Sequence, residues 1–161
     1  MKCLVALCHL MSKDCELGVE SFARSLLAIE RFSNDDYEFL ITIRWAYRLD
    51  CDTPIADVVS DFIFTNSDIC HQSVISLASS RDTVGDTYFC LEYMQNMSLK
   101  EIHIVTSDYH KDRTDIIFNK IFNNRLIIKV FGAKTDAIND DSILSHERDS
   151  IDSFNRTFEL T

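Results

Sequence analysis

Hydrophobic and polar residues alternate along the chain with two different periods. Five short runs rich in Val, Ile and Leu have the length and composition of buried strands, at residues 3–9, 38–44, 73–77, 101–106 and 125–132. Five stretches with apolar residues at helical spacing follow them in turn, at residues 18–32, 55–64, 83–95, 109–122 and 145–158. Strands that are each followed by a helix predict a parallel sheet of roughly five strands with helices on both faces, a three-layer α/β fold.

Polar residues gather where the fourth predicted strand ends and the next helix begins. Residues 105–113 read VTSDYHKDR, and residues 116–122 have helical spacing. His110 and Arg113 share one helical stripe with Ile117, so they continue the core-facing side of the helix up to the rim of the sheet. Open α/β proteins bind their ligands at this carboxyl edge. The sequence therefore predicts a ligand site at this junction.

Two other predicted helices begin with polar residues that would face the same rim. The first has a broad apolar face, with Glu20 and Arg24 in its first two turns, although these two residues could also simply solvate an exposed face. The third begins SRDTVGD at residues 80–86, in which Thr83 and Asp86 have capping-box spacing. The amide groups at the start of that helix would face the same rim as His110.

Length and composition fit one globular domain. The chain has 161 residues, of which 46% are hydrophobic and 26% charged, enough to enclose a core around one sheet. No linker, repeat or low-complexity segment interrupts the pattern, so a single domain over residues 1–161 is predicted. The formal net charge of −10 argues against nucleic-acid binding, which depends on clustered Lys and Arg.

The cysteines and the apolar segments bear on location. The six cysteines form no CxxC pair and no regular spacing, which favours free thiols of a cytoplasmic protein over disulfides or a metal site. Residues 1–8 could be mistaken for a secretory signal, but their apolar run is short and Leu7 stands where processing requires a small residue. A first strand explains them better, and no segment approaches the roughly 18 apolar residues of a membrane span.

Three segments together resemble one protein family. Residues 17–24 (LGVESFAR), 80–86 (SRDTVGD) and 106–113 (TSDYHKDR) are similar, in order, to the patterns L-G-x-E-S-x-A-R, S-x-D-T-x-x-[DEN] and T-S-x-x-H-x-x-R. These are patterns of domain-of-unknown-function family 218, the YdcF/SanA/ElyC-like group. Each pattern alone is weak, whereas three in order with compatible spacing over residues 3–135 make the resemblance fairly specific.

The resemblance implies a Rossmann-like sheet with the motif residues gathered in one cleft at the carboxyl ends of the strands. The implied cleft residues are Glu20, Arg24, Ser80, Asp82, Thr83, Ser107, Asp108, His110 and Arg113. One branch of the family is associated with S-adenosylmethionine or a nucleotide-like ligand, and membrane-anchored branches with envelope maintenance. By resemblance, then, S-adenosylmethionine or a nucleotide-like molecule is the expected cofactor class.

The chain departs from the family after the first two predicted strands. Members commonly have glycine-rich turns there, whose backbone amides can approach a phosphate closely. Here residues 8–11 read CHLM and residues 42–48 read TIRWAYR, so the glycines are gone. A pocket lined by side chains is the expected consequence, with Arg44, Trp45, Tyr47 or Arg48 binding or stacking on a ligand.

The predicted cleft residues have complementary chemistry. His110 at a helix N-terminus is expected to be a neutral imidazole that serves as a base or hydrogen-bond partner, with Asp108 and Asp82 orienting it. The catalytic candidates are therefore these three residues, and the cleft arginines are expected to form forked hydrogen bonds to a carboxylate or phosphate. The ligand-binding candidates are Glu20, Arg24, Arg44, Trp45, Ser80, Arg81, Thr83, Ser107 and Arg113, and no metal ligand is predicted.

These candidates favour an enzyme of small-molecule metabolism. The expected reaction is that of a transferase or hydrolase on a polar or anionic substrate, of nucleotide, S-adenosylmethionine or amino-acid type. A non-catalytic binding or regulatory module with the same cleft is the first alternative, because a buried polar network can also merely connect loops. An envelope-associated accessory protein is the second.

Several other residues have a simpler interpretation. Ser107 lies in no G-x-S-x-G elbow, which disfavours a hydrolase-type serine nucleophile. Cys8 and His9 could form a thiolate site after the first strand, but Cys8 is better explained as a small buried hydrophobe. His103 is predicted to be a hydrogen-bonded histidine of the core or an interface. His146 and Glu147 in the last helix could approach the cleft, although solvent exposure is the favoured interpretation.

Overall fold

Strands and helices alternate along the whole computed structural model, which describes residues 1–45 and 50–159. The strands are β1 (Lys2–Leu7), β2 (Phe39–Ile43), β3 (Val74–Leu77), β4 (Glu101–Ser107) and β5 (Ile127–Ala133). The helices are α1 (Val19–Asn34), α2 (Ile55–Asn66), α3 (Thr83–Met94), α4 (Lys111–Ile121) and α5 (Asp141–Phe158). Short 3₁₀ helices cover Lys13–Cys15, His71–Ser73, Asp108–His110 and Asp136–Asn139. The predicted α/β alternation is confirmed.

The sheet is parallel throughout, with the strand order β3-β2-β1-β4-β5. Val5 of β1 pairs with Ile41 of β2 and with Ile104 of β4, so β1 lies at the centre. The chain moves outward from β1 to β3 on one side and from β4 to β5 on the other. The order thus reverses between β1 and β4, and ligands of open α/β sheets bind in the crevice at such a reversal.

Both faces of the sheet are covered, which explains why its strands have nearly continuous apolar sequences. One face packs against α3 and α4, with Met94 and Phe118 in the core. The other packs against α1 and α2, with Ala28 and Val59 in the core. Helix α5 packs along α4. The predicted three-layer, Rossmann-like sandwich is therefore confirmed.

A buried histidine lies near the start of β4, hydrogen-bonded as the sequence predicts. His103 is 3% exposed, and its Nδ1 lies 2.6 Å from the hydroxyl of Tyr37. Its Nε2 lies 2.6 Å from Oε1 of Glu101, which also pairs with Lys129 on β5. The ring of Phe131 packs edge-on against the imidazole. We refer to Tyr37, His103 and Glu101 as the core histidine set.

Helix α3 begins with a different cap from the predicted one. Capping-box spacing favours Thr83 and Asp86, but Asp82 is the N-cap, and its carboxylate accepts a hydrogen bond from the amide of Gly85 at 2.8 Å. Asp86 is instead fully buried and lies 2.5 Å from a guanidinium nitrogen of Arg44. The local pattern cannot show this because Arg44 comes from the distant end of β2.

The last helix begins earlier than predicted, at Asp141 and not at residue 145. Asp140 caps it, because its carboxylate accepts hydrogen bonds from the amides of Ser142 and Ile143. This earlier start adds a turn to α5 that lies beside the carboxyl edge of the sheet, with Glu147 on its buried side. The sequence pattern missed it because the two residues that begin the helix, Asp141 and Ser142, are polar and follow an acidic loop.

A disulfide joins Cys15 to Cys51, contrary to the expectation of free thiols. Cys15 lies in the loop after β1, inside an excursion closed by an antiparallel bridge between Met11 and Leu17. Cys51 follows β2, and the two Cα atoms are 5.6 Å apart. Spacing in the sequence cannot reveal which loops meet, so the pair was hidden. The free cysteines are Cys3, Cys8, Cys70 and Cys90.

Gly132 allows β5 to contact the turn that follows β4. A Cβ atom at Gly132 would lie 2.6 Å from the Cα of Asp108 and 2.7 Å from Cδ of Lys111, closer than such atoms can approach. Strand and turn therefore meet backbone to backbone. This contact fixes the height of the turn that carries His110 above the sheet.

Candidate functional site

A cleft of about 440 Å³ opens at the carboxyl edge of the sheet, where the strand order reverses between β1 and β4. Its walls come from the ends of β1, β2 and β4 and from α1, α4 and α5. Five predicted ligand or catalytic residues line it, namely Glu20, Arg24, Arg44, His110 and Arg113. The structure thus brings together residues from three separate predicted segments.

One wall is a hydrogen-bonded network around Glu20. Its Oε2 accepts hydrogen bonds from Ser107 at 2.9 Å and from the hydroxyl of Tyr109 at 2.6 Å. Arg24 donates from Nε to Ser107 at 2.8 Å and from Nη1 to the carbonyl of Leu7 at 2.9 Å. Arg24 is only 2% exposed, so it does not solvate an outer face. The network joins α1 to the ends of β1 and β4.

Hydrogen-bond donors stabilise the ionised carboxylate of Glu20. Burial acts to raise the pKa of Glu20, but the hydrogen bonds from Tyr109 and Ser107 and the nearby ring of His9 outweigh it, so the pKa lies below its usual value. Burial, together with the adjacent carboxylate, raises the pKa of Tyr109 to about 12. This wall therefore presents a carboxylate and a phenol that keeps its proton.

The opposite wall contains His110 between a hydroxyl and a carboxylate. Its Nε2 lies 3.0 Å from Oγ1 of Thr83 and its Nδ1 2.6 Å from Oε2 of Glu147. Burial lowers the pKa of His110 to about 4, and the charge of Arg113 adds to this, although Glu147 opposes it. The imidazole is therefore neutral near pH 7. This agrees with the state expected from the sequence, but burial is the main cause.

Arg113 connects His110 to the open space of the cleft. Its Nε lies 3.1 Å from Oε2 of Glu147, the carboxylate oxygen that also contacts His110. Within residues 1–45 and 50–159, neither terminal nitrogen of Arg113 donates a hydrogen bond to a protein group. The guanidinium side chain is one-fifth exposed. Two donors in a planar fork are thus directed where a carboxylate or phosphate could accept them.

Arg44 has a glycine-like backbone conformation at the end of β2, where a glycine-rich turn is missing from the sequence. Its φ is 143°, a backbone conformation that favours glycine, and its guanidinium pairs with the buried Asp86. Asp86 also accepts a hydrogen bond from Ser80. Burial raises the pKa of Asp86, although Arg44 opposes the rise. Non-glycine residues keep such a backbone only where their surroundings enforce it, often at functional sites.

His9 supplies a second imidazole to the cleft. The amide of His9 donates to Ser21, which ties the loop after β1 to α1. Its Nδ1 lies 3.7 Å from Oε2 of Glu20, and the side chain is about one-third exposed. Burial lowers the pKa of His9 to about 4, and Arg24 adds to this while Glu20 opposes it. The ring is therefore neutral and faces the same space as His110.

Several predicted site residues lie outside the cleft. The carboxylate of Asp108 accepts a hydrogen bond from the hydroxyl of Thr135 at 2.7 Å and another from the Thr135 amide at 3.1 Å. Asp108 therefore holds the loop after β5. Asp82 caps α3, and Arg81 is exposed. Trp45 is 42% exposed, and its amide donates to the carbonyl of Ser80. Tyr47 and Arg48 lie outside the described residues.

Glu147 is the main functional residue that the sequence analysis missed. It was expected to face solvent, but it is 7% exposed and contacts both His110 and Arg113. Burial acts to raise its pKa, but the hydrogen bond with His110 and the charge of Arg113 outweigh this, so the pKa is lowered. The amphipathic pattern of α5 was the available signal for the burial of Glu147. The face of the helix on which Glu147 lies could not be assigned without the true start of α5.

Two further findings concern metal ions and membranes. Among residues 1–45 and 50–159, no group of three or more His, Cys, Asp or Glu side chains is arranged to hold a metal ion. Within the same ranges, no helix has the length and apolar character needed to cross a membrane.

Comparisons with known proteins do not add a relative. No model of a known protein family matches the chain, and no curated protein matches it either. The resemblance of the three motifs to domain-of-unknown-function family 218 therefore stays a prediction. The geometry of the cleft is therefore the basis for inferring function.

Proposed function

We propose that the protein is an enzyme of small-molecule metabolism that binds a polar, anionic substrate in the cleft. One observation carries this proposal: the neutral imidazole of His110 lies between Thr83 and Glu147, directly beside a guanidinium whose two terminal nitrogens donate to no group of the described residues. A neutral buried imidazole can accept a proton from a substrate or a nucleophile. Arg113 would bind the anionic group and so place the reacting bond near His110.

The size and charges of the cleft favour a ligand of mixed polarity. A volume of about 440 Å³ lies in the range of pockets for small metabolites. Its cations are Arg24, Arg44 and Arg113, and its anions Glu20 and Glu147, so a ligand that carries both an anionic group and hydrogen-bond donors would satisfy both walls. Amino-acid-like, nucleotide-like and S-adenosylmethionine-like molecules fit this description, and a transferase or hydrolase is the corresponding class of enzyme.

A non-catalytic binding module is the second candidate, and one observation favours it. Both ring nitrogens of His110 already have protein partners, as in a network that only stabilises the fold. Turnover separates the two candidates, because an enzyme that depends on His110 loses its rate in the His110→Ala variant while part of the ligand affinity remains. Ligand binding without any His110-dependent turnover would favour the binding module.

Location is open to a direct test. The spacing of the cysteines predicts a cytoplasmic location, whereas the Cys15–Cys51 disulfide favours an oxidising compartment such as a cell envelope. Cell fractionation combined with thiol alkylation before lysis would decide between them. An oxidised pair recovered from the envelope fraction would support the envelope-associated alternative.

Thermal-shift measurements with a metabolite panel test the binding part of the proposal. At a ligand concentration of about 100 Kd, binding adds about 2.7 kcal/mol to the free energy of unfolding. Arg113→Ala should lose at least about tenfold in affinity for the anionic hits. Arg81→Ala is the matched control, because this arginine is exposed and outside the cleft. Equal losses in the two variants, or no anionic hit at all, would contradict the proposal.

A further inference from the structure

We infer that Thr83 is the nucleophile of an acyl-transfer site in which His110 is the base and Glu147 positions the base. This inference deepens the proposed function and rests on it, because it uses the same imidazole and assigns the anion bound by Arg113 to an acyl substrate. It names a reaction class and a covalent intermediate, neither of which follows from the cleft alone.

The geometry has the three parts that an activated hydroxyl requires. Thr83 Oγ1 lies 3.0 Å from His110 Nε2, within reach for proton transfer. Nδ1 on the other side of the ring lies 2.6 Å from the carboxylate of Glu147. A carboxylate at Nδ1 fixes the tautomer with a proton on Nδ1, which leaves the lone pair of Nε2 for the hydroxyl proton. Each residue comes from a different helix or its preceding turn, so the tertiary fold creates the set.

The surroundings of Thr83 supply donors for a developing negative charge. Thr83 is the first residue of the 12-residue helix α3. The first backbone bond of that helix runs from the amide of Asp86 to the carbonyl of Asp82, and the amide of Gly85 donates to the carboxylate of Asp82. The amides of Thr83 and Val84 therefore have no partner within the helix. Such amides beside a nucleophile can stabilise the oxyanion of a tetrahedral intermediate.

A second cavity lies beside Thr83, which is itself 4% exposed. A space of about 200 Å³ is lined by Asp82, Thr83, Val84 and Arg113, together with residues of α4 and α5. Arg113 also lines the larger cleft, so this residue borders both spaces. A substrate whose carboxylate or phosphate binds Arg113 would therefore place a nearby carbonyl within the space beside Thr83. The inferred substrate class is an ester or thioester with an anionic group in its acyl part.

The proton and the electrons balance in two steps. First, Thr83 Oγ1 forms a bond to the carbonyl carbon, its proton moves to His110 Nε2, and the bond from that carbon to the leaving oxygen or sulfur breaks. His110 then loses this proton, to the leaving group when that group is basic or to solvent water when it departs as an anion, so that the imidazole is neutral again before the second step. Second, water gives a proton to His110 and adds to the carbonyl carbon, and the ester bond to Thr83 breaks as its oxygen regains the proton.

The experiment uses an anionic ester and a neutral one as probes. Full-length protein is mixed with p-nitrophenyl hemisuccinate or p-nitrophenyl acetate, p-nitrophenolate release is recorded, and acid-quenched samples are analysed by intact mass and peptide mapping. Wild type should hydrolyse the hemisuccinate and show one succinyl group on Thr83. Thr83→Val should lose at least about a hundredfold in rate and the adduct, while Thr83→Ser should keep both. Glu147→Gln should lower kcat and shift the acid limb of the pH profile of kcat.

Matched controls separate chemistry from folding. Thr106→Val removes a buried hydroxyl that has no hydrogen-bond partner in the described part of the chain, so it should react as wild type. Tyr37→Phe removes the hydroxyl of the core histidine set and should also keep its rate. Arg113→Ala should raise KM for the hemisuccinate but not for the acetate. Circular dichroism and thermal melting show whether each variant is folded.

Three results would overturn the inference. These are an adduct on a residue other than Thr83, a folded Thr83→Val variant with the wild-type rate, and wild-type protein with no rate above that of His110→Ala. In the second case, loss of rate in His110→Ala alone would retain the proposed acid-base function without a threonine nucleophile. In the third case, intact ligand binding through Arg113 would leave only the binding module.

Discussion

Two histidines at opposite ends of the same strand have similar partners but different surroundings. His103, near the start of β4, lies between the hydroxyl of Tyr37 and the carboxylate of Glu101. His110, just after the end of β4, lies between a threonine hydroxyl and the carboxylate of Glu147. The exposed fractions are 3% and 4%. Hydrogen bonds and burial alone therefore do not distinguish a functional histidine from a structural one.

The difference lies in what adjoins each imidazole. His103 is packed within the sheet layer against Phe131, and the cation near it, Lys129, pairs with the same carboxylate on the outer edge. His110 lines a cleft at the point where the strand order reverses, beside the guanidinium of Arg113, whose terminal nitrogens donate to none of the residues that the structure describes. A carboxylate, an imidazole and a hydroxyl become a candidate site only where a ligand can approach them. Paired changes at the two histidines can test this distinction.

The largest expected effect is on turnover. His110→Ala should lower kcat by about a hundredfold to ten-thousandfold on any substrate found in the ligand screen, because it removes proton transfer. His103→Ala should instead lower the free energy of unfolding by about 1–3 kcal/mol, since it leaves the buried hydroxyl of Tyr37 without its imidazole partner, and should keep kcat in the folded protein. Steady-state kinetics and urea titration measure both. Equal loss of kcat in the two folded variants would remove the distinction.

The next effect concerns the Cys15–Cys51 disulfide, which ties two loops at the carboxyl edge and leaves the core histidine set untouched. Closing a loop of 36 residues should contribute about 3–4 kcal/mol to the free energy of unfolding. Replacing both cysteines with serine should therefore lower the urea midpoint. Hydrogen exchange should rise in residues 10–17 and 50–53 while β4 stays protected. Faster exchange in β4 alone would contradict this expectation.

The pH dependence of stability should follow the two cleft histidines, because burial lowers the pKa of His9 as well as that of His110 to about 4. The folded-state pKa of His110 lies below the usual value near 6.5, so the unfolded chain binds the proton more readily. Stability is then complete above about pH 6.5 and falls as the pH drops toward 4, by up to about 3 kcal/mol from this residue. His110→Gln should flatten the slope of the unfolding free energy between pH 4 and 6.5. An unchanged slope would show that His110 is not the responsible group.

The smallest effects come from removing hydroxyls. Thr83→Val and Tyr37→Phe each leave a buried imidazole nitrogen without its partner, and each should lower the free energy of unfolding by about 1–2 kcal/mol. Thr106→Val removes a buried hydroxyl without a partner among residues 1–45 and 50–159, and it should change the free energy of unfolding by less than about 0.5 kcal/mol. Thermal melting measures all three. Similar stability losses in Thr83→Val and Tyr37→Phe, combined with loss of activity in Thr83→Val alone, would show most clearly that the two histidines differ in function.

The sequence predicted the fold well because the central strands β1, β2 and β4 are buried on both faces and therefore have nearly continuous apolar sequences. The junction at His110 and Arg113 was also predictable, since polar residues at the end of a buried strand must meet something other than the core. Glu20 and Arg24 were found through their motif. In all these cases the informative residues lie close together in the sequence.

The parts that could not be predicted depend on contacts between distant segments. Asp108 lies next to the site in the sequence, but its carboxylate turns to Thr135 in the loop after β5. Glu147 reaches His110 from a helix that begins one turn earlier than its apolar pattern indicates. The disulfide likewise joins loops after two different strands. Local periodicity contains no information on how such loops and helices pack.

The contact at Gly132 has a consequence for natural variation. This residue has no side chain to bind a ligand or carry a proton, yet any side chain there would push against the backbone at Asp108, two residues before His110. A substitution in a neighbouring strand would thus displace the imidazole relative to Thr83 and Glu147. Inherited changes at Gly132 should therefore resemble active-site lesions in their phenotype, although they would lie in a segment that only supports the site.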